Sequence, residues 1–256
     1  MNIIISLTTI PNRLYPHHGV SAASLALKTL LEQSYNNYVV HFNIPEEYRG
    51  VAIDVPDWVS EYANRYKHLL VFRTPDYGSI TKLLPTLDRV SDPDAIIITA
   101  DDDLFYMDGI IAAHLEAREK YPDCALGFAG MVSIDGSCHF CTTVSKDVRV
   151  KVLEGYKTIS YKRKFFDVEE FRKDFFGKTW KDDETLSAYM GYKNIQKIVL
   201  SYAHDTDFTP RVESFPVIGH VPAERGGCNV FRDSAEHQEK SEKHIQEFFK
   251  LGYLER

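Results

Sequence analysis

Three consecutive carboxylates, Asp101, Asp102 and Asp103, follow the most apolar run of the chain, residues 95–100. Adjacent like charges repel, so such a triplet calls for a cation or a positive neighbour. The run before it reads as a strand buried on both faces. Ligands of open α/β sheets bind beyond the carboxyl ends of the strands, which puts these hard oxygens in the expected cleft. They suit Mg²⁺ or Mn²⁺, ions that bridge to substrate phosphates while keeping open positions. An acidic turn capping the next helix is the competing reading, and the buried strand in front favours ligation. A second acidic set, Asp182, Asp183 and Glu184, opens a helical segment. Acids there stabilise a helix N-terminus by about 0.3–1 kcal/mol, so on their own they imply no chemistry.

The elements that must position these groups alternate. Strand patterns near 2–7, 38–44, 69–72, 95–100 and 125–132 are separated by helical patterns near 21–33, 58–66, 80–90 and 109–120. Such alternation implies parallel strands joined by right-handed crossovers. The expected class is therefore α/β, an open, doubly wound and mainly parallel sheet. From residue 133 the rhythm changes. Hairpin material spans 134–152, a short strand fits 158–161, helices fit 168–175 and 182–190, and a strand lies near 196–201. A loop-rich stretch precedes a last helix over 234–251. No repeat or linker divides the chain, so one domain over 1–256 is expected, with halves at 1–132 and 133–256.

The segment Asp101-Asp102-Asp103 resembles the D-x-D motif of GT-A glycosyltransferases. The opening Ile3-Ile4-Ile5-Ser6-Leu7-Thr8-Thr9-Ile10-Pro11-Asn12-Arg13 resembles the first strand and nucleotide loop of a small soluble group akin to family 2 enzymes, found in bacteria and large DNA viruses. Asp76-Tyr77-Gly78-Ser79-Ile80-Thr81-Lys82 resembles the segment before that group's D-x-D strand. The resemblance implies a GT-A fold, with a nucleotide-sugar half over 1–132 and a smaller acceptor-binding half over 133–256. It implies Asp103 as metal ligand, Asp101 on the ribose side or at a metal-bound water, and Asp102 near the diphosphate or sugar. Thr8, Thr9 and Arg13 become nucleotide candidates: hydroxyls and loop amides suit a uracil edge, and a guanidinium can reach a phosphate. Asn43, ending the second strand, could bond the base, Asp76 the base or ribose, and Lys82 the diphosphate. For Asp76 and Ser79, helix capping is the alternative.

Asp182-Asp183-Glu184-Thr185-Leu186-Ser187 resembles the E-D-x-x-x-S motif of inverting family 2 enzymes, with Asp182 in place of the Glu. That implies Asp183 as general base, with Asp182 as second choice, while Glu184 reads as a helix-surface residue. A carboxylate must take the acceptor hydroxyl's proton as it attacks the anomeric carbon, and a metal stabilises the departing diphosphate. By the same resemblance His204 has the placement of a third metal ligand, with His220 second. Tyr156, Tyr161 and Trp180 fall where sugar faces would stack, or else pack the core.

The formal charge of -7 argues against broad nucleic-acid binding. No apolar run is long enough to span a membrane, and the start lacks a basic secretion signal, so a cytoplasmic protein is expected. Cys138 and Cys141 form a lone C-x-x-C without the further ligands of a structural zinc site; with Cys124 and Cys228 they read as reduced thiols. Fifteen Tyr and 15 Phe suit a sugar-handling cleft, though packing accounts for most. The expected partners are a nucleotide-sugar donor, UDP-linked by resemblance, and a carbohydrate acceptor; the cofactor is Mn²⁺ or Mg²⁺. The competing activities are a nucleotidyltransferase, whose glycine-rich loop is missing from 8–13, a D-x-D phosphatase, and a non-catalytic carbohydrate-binding protein.

Overall fold

A computed structural model describes residues 2–134, 137–141, 144–178, 181–201, 217–220, 246–248 and 250–253. Its first part runs β1 (Ile3–Thr8), α1 (Pro11–Leu14), α2 (Ala22–Leu31), β2 (Val39–Pro45), β3 (Glu47–Tyr48), β4 (Val51–Ala52), α3 (Asp57–Arg65) and β5 (Leu69–Thr74). A 3-10 turn (Gly78–Lys82) leads to α4 (Leu84–Arg89), β6 (Ile96–Thr99), β7 (Leu104–Tyr106), α5 (Ile110–Lys120) and β8 (Ala125–Gly127). There follow β9 (Gly130–Ile134), β10 (Ser137–Cys141), β11 (Val148–Arg149), β12 (Val152–Leu153), β13 (Ile159–Lys162), α6 (Val168–Asp174), α7 (Asp182–Tyr192), β14 (Lys197–Val199) and β15 (Val217–His220).

Eight strands form the central sheet in the order β11-β14-β8-β13-β6-β1-β2-β5. The β6-β1-β2-β5 block is parallel throughout. Ile3, Ile5, Ile96 and Ile98 are at most 2% exposed, as strands covered on both faces must be. One face packs on Leu27, Leu30 and Leu31 of α2, Val59 of α3 and Ile110 of α5. The other packs on Leu84 of α4, Phe171 of α6 and Leu186 and Tyr189 of α7. The sheet is thus doubly wound, as the alternation requires.

Where the sequence reading and the fold diverge, local chemistry explains it. The helix expected over 80–90 is split, because Pro85 has no amide to donate and starts a new helix after the 3-10 turn. Pro11 likewise opens α1 inside a stretch that reads as loop. The strand expected over 125–132 breaks before Gly130, where β9 leaves for a separate sheet with β10 and β12. A Cβ at Gly130 would stand 2.5 Å from the Val152 carbonyl oxygen, so only glycine admits that approach. The sheet also contains a reversed strand: β13 runs antiparallel between β6 and β8.

Aromatic residues gather under α6 and α7. Phe166 stacks on Tyr189 at 5.6 Å, and Phe171 and Phe175 meet Tyr189 edge-on at 5.0 Å. Phe248 adds a stacked contact to Phe175. Tyr253 reaches the bare backbone of Gly191, where a Cβ would lie 1.5 Å from its carbonyl oxygen. Much of the Tyr and Phe surplus is therefore packing. Among the described residues no helix is long and apolar enough to cross a membrane.

Two buried histidines support the site from behind. His41 lies 3.4 Å from the Thr86 hydroxyl, and His114 holds the Thr158 hydroxyl at 2.9 Å. Burial, then a neighbouring arginine (Arg89 or Arg118), pushes them down to about 4 and about 3. The unfolded chain protonates both near 6.5 and the folded chain does not, so their contribution is complete above 6.5 and lost as pH falls toward 4. Each steepens the acid loss of stability by about 1.4 kcal/mol per pH unit across that window. Urea midpoints measured between pH 7 and 4.5 should show the effect, and His114→Gln should flatten the curve by one such increment.

Candidate functional site

The carboxyl ends of β1 and β6 lie side by side, with Ser6 in register with Thr99. The Ala100 amide extends the ladder by donating to the Ser6 carbonyl at 3.1 Å. Beyond it the chain leaves the sheet as the acidic triplet and returns through β7. Buried Tyr106 closes this excursion: its hydroxyl accepts the Asp101 amide at 2.7 Å and sits 3.3 and 3.4 Å from the Asp101 and Tyr156 carbonyls.

Two basic side chains divide the triplet. Lys82 ends the 3-10 turn, and its carbonyl accepts a hydrogen bond from the Ser6 hydroxyl, which anchors the turn to β1. Its Nζ lies 2.7 Å from Asp101 Oδ1 and 2.9 Å from Asp182 Oδ2. The second contact is an ion pair without hydrogen-bond alignment, since Asp182 Oδ2 has no aligned donor. On the other side Arg13 grips both remaining acids, Nη1 to Asp102 Oδ1 at 2.6 Å and Nη2 to Asp103 Oδ2 at 2.8 Å. The D-x-D turn and the second acidic set, about 80 residues apart in the chain, thus meet across one ammonium group.

Asp183 sits beside that group. Its Oδ1 accepts the Gly155 amide at 3.0 Å. A Cβ on Gly155 would stand 2.9 Å from that oxygen and 3.2 Å from Lys82 Nζ, so the approach depends on glycine. Thr158, held at φ +68 with its hydroxyl on His114, turns the chain into β13. Residue 159 is in register with Thr99, which delivers the 154–158 turn next to the triplet. The Ser187 hydroxyl accepts the Leu153 amide at 3.0 Å and fastens α7 to the β12 segment. The serine of the second acidic pattern therefore has a positioning role.

No protein-family model matches the chain, and no curated protein sequence does. Solved structures do. S. aureus TarS 1-349 in complex with UDP superposes with a TM-score of 0.51 at 13% identity, over 79% of this chain and 59% of that one. Its complex with UDP-GlcNAc gives 0.51 at 12%, over 84% and 61%. The 4-diphosphocytidyl-2C-methyl-D-erythritol synthase of Anaerococcus prevotii DSM 20548 gives 0.50 at 13%, over 76% and 82%. The chain has the GT-A, nucleotide-diphospho-sugar transferase fold. It spans about 60% of the TarS 1-349 chains it matches.

Within this GT-A fold the remaining residues fall into place unevenly. Thr8 ends β1, half-buried, its hydroxyl donating to the Asn43 carbonyl at 2.8 Å, and Thr9 is buried behind it. Asn43 is fully buried. Its amide donates to Ser6 and Thr86 at 3.2 Å and its oxygen accepts from Arg89 at 2.8 Å, which leaves nothing for a base. Asp76 is exposed and accepts the Gly78 amide at 2.8 Å, in front of a 3-10 turn whose N-cap, Tyr77, makes no side-chain cap. Tyr161 is 1% exposed and packs edge-on against Phe166, so no sugar can stack on it; Tyr156 is half-buried at the turn. Glu184 is 8% exposed rather than a surface residue. Trp180 and His204 lie outside the described residues, and His220 is in β15, in register with Leu104.

Glu154 is a site residue that no sequence pattern marked. It precedes Gly155, whose amide donates to Asp183, and its charge adds to the rise of Asp183. Burial, then the charge of Asp182, pushes Asp183 well above the usual carboxylate range, with Lys82 pulling against them. Burial and Glu184 likewise raise Glu154. Burial opposes the charge on Lys82, but Asp101, Asp182 and Asp183 outweigh it and keep the ammonium form.

The donor set at the β6 tip suits a hard divalent ion. Asp102 and Asp103 already share one cationic partner, and Asp102 Oδ2 is buried without a hydrogen-bond partner. Among the described residues no three His, Cys, Asp or Glu side chains form a ready coordination shell.

Replacing Lys82 with Met should leave Asp101 and Asp182 without their shared cation. We expect a loss of roughly 3–5 kcal/mol near neutral pH. The loss should shrink as pH is lowered, because the orphaned acids then take up protons. Denaturant titrations of Lys82→Met at pH 7.5 and 5.5 check both the size and the sign.

Proposed function

We propose that the protein is a metal-dependent, inverting glycosyltransferase that moves a sugar from a UDP-sugar to a hydroxyl of a carbohydrate acceptor, acting in the cytoplasm. The observation that carries this reading is the meeting of Asp101, Asp182 and Asp183 around Lys82 at the mouth of the parallel sheet. One side of that group offers acids and cations for a diphosphate, and the other offers a shielded carboxyl for a hydroxyl proton. The superposed TarS structures hold UDP and UDP-GlcNAc on the same fold, which supports a nucleotide-sugar donor.

In this mechanism Thr8 and the loop to Arg13 receive the nucleotide, and Lys82 and Arg13 meet the diphosphate as positive charges. Asp103, with Asp101 or Asp102, would hold Mn²⁺ or Mg²⁺, with His204 as the third ligand. The chemistry such an ion supplies when bound is stabilisation of charge on the departing nucleoside diphosphate. Asp183 takes the acceptor proton as the hydroxyl attacks the anomeric carbon from the opposite face, which inverts the centre. Lys82 favours the carboxylate form of Asp183 against burial and the charge of Asp182. The Gly155 amide fixes the oxygen that does not face the acceptor, and Tyr156 and Trp180 border the sugar.

A second reading has one observation in its favour. The superposed erythritol synthase is matched over 82% of its length, more than TarS is, and cationic side chains at a triphosphate would serve nucleotidyl transfer equally. Products decide between them. Incubation with UDP-sugars and Mn²⁺ should release UDP; incubation with a sugar phosphate and UTP or CTP should release no pyrophosphate.

Asp103→Ala is expected to abolish Mn²⁺-dependent UDP binding in calorimetry. Asp183→Asn should keep that binding and lower transfer by roughly 10²–10⁴-fold, and unchanged turnover would remove Asp183 from the mechanism. Gly155→Ala forces the Asp183 carboxylate aside by a few tenths of an ångström. It should lower kcat by about tenfold to a hundredfold while leaving the melting temperature and UDP affinity nearly as they are.

A further inference from the structure

We infer that Arg13 is a built-in counter-ion that occupies the cation position of Asp102 and Asp103 until a divalent ion displaces it, so that metal and nucleotide bind cooperatively. The inference rests on the metal-dependent reading and adds to it a reason why neither ligand should bind well alone.

The contact has the geometry of a place-holder. A guanidinium presents parallel donors, and here each goes to a different carboxylate, at 2.6 and 2.8 Å, so one side chain balances both acids. Arg13 projects from the short helix α1, whose position is fixed by Leu14: that side chain is fully buried, and its carbonyl accepts the Trp58 indole at 3.0 Å. The backbone is anchored, and only the side chain needs to move.

The contact is also incompletely satisfied. Arg13 Nε and Asp102 Oδ2 are both buried and both lack a hydrogen-bond partner. The structural arginine Arg118 also leaves its Nε unpartnered while its terminal nitrogens bond Ser160 and the Cys124 carbonyl, so the atom that sets this contact apart is the carboxylate oxygen. Asp102 Oδ2 keeps a lone pair free at the triplet. A divalent ion seated on Asp102 and Asp103 would face a guanidinium within a few ångströms, and like charges that close repel. Arg13 must therefore swing away when the ion arrives. A diphosphate bound at the same place gives the displaced guanidinium a new anion, and this links the two equilibria.

Titration of the full chain with Mn²⁺, following the free-ion signal by electron paramagnetic resonance, tests the inference without turnover. Arg13→Met should bind Mn²⁺ alone about tenfold more tightly than the unaltered protein. Added UDP should enhance Mn²⁺ affinity less in the variant. Arg13→Lys, whose single ammonium cannot span both carboxylates, should shift in the same direction by less and guards against a misfolded Met variant. Thermal melts give a second readout: in EDTA Arg13→Met should melt below the unaltered protein, and Mn²⁺ should raise its midpoint by more. If both proteins show UDP-dependent Mn²⁺ binding but the variants bind Mn²⁺ alone no more tightly, Arg13 is a structural partner and the inference falls by itself. If none binds Mn²⁺ even with UDP, the metal-dependent reading fails and takes the inference with it.

Discussion

A single ammonium group among carboxylates organises this molecule's working end. Lys82 Nζ touches Asp101 from the loop after β6 and Asp182 from the start of α7, with Asp183 close by. Burial of that charge is unfavourable, and burial of the acids without it would be worse. The arrangement is stable only when the 3-10 turn, the β6 loop and α7 are all in place. Each element is accordingly fastened by neutral hydrogen bonds that do not depend on ionisation: Ser6 to the Lys82 carbonyl, Tyr106 to the Asp101 amide, and Ser187 to the Leu153 amide.

The same constraint explains the electrostatic division within the site. Three acids on the β6 loop meet two cations, Arg13 and Lys82, and Lys82 is shared with Asp182. Burial raises Asp183, Glu154 and Glu184, and the charges of neighbouring acids add to the rise. One set of carboxylates is thereby paired with cations, and the other is biased toward its neutral form. Environment assigns the roles, since the side chains are chemically alike.

The sequence made a good part of this legible. The apolar run before Asp101 and the strand–helix alternation correctly indicate a doubly wound sheet, and both acidic sets lie at its mouth. What stayed hidden was tertiary in origin. Asn43 looks free at a strand end, but the polar patch of Ser6, Thr86 and Arg89 absorbs it. Tyr161 looks like a platform, but it falls in β13, covered on both faces. Glu154 carries no periodic signal because its importance comes from a neighbour 29 residues away. The break at Pro85 could have been read from proline's missing amide, and the departure of β9 hinged on a glycine whose crowding no local pattern reveals.

The reversed strand β13 has a wider consequence. Since it runs against β6, the turn that enters it and the loop that leaves β6 emerge at the same rim, although one precedes its strand and the other follows. A purely parallel order would have sent one of them to the far side. Two turns distant in the chain thereby face each other across one rim with no change in the parallel block β6-β1-β2-β5. A scaffold of this kind can diversify what it recognises on one bank of its cleft while the opposite bank stays as it is.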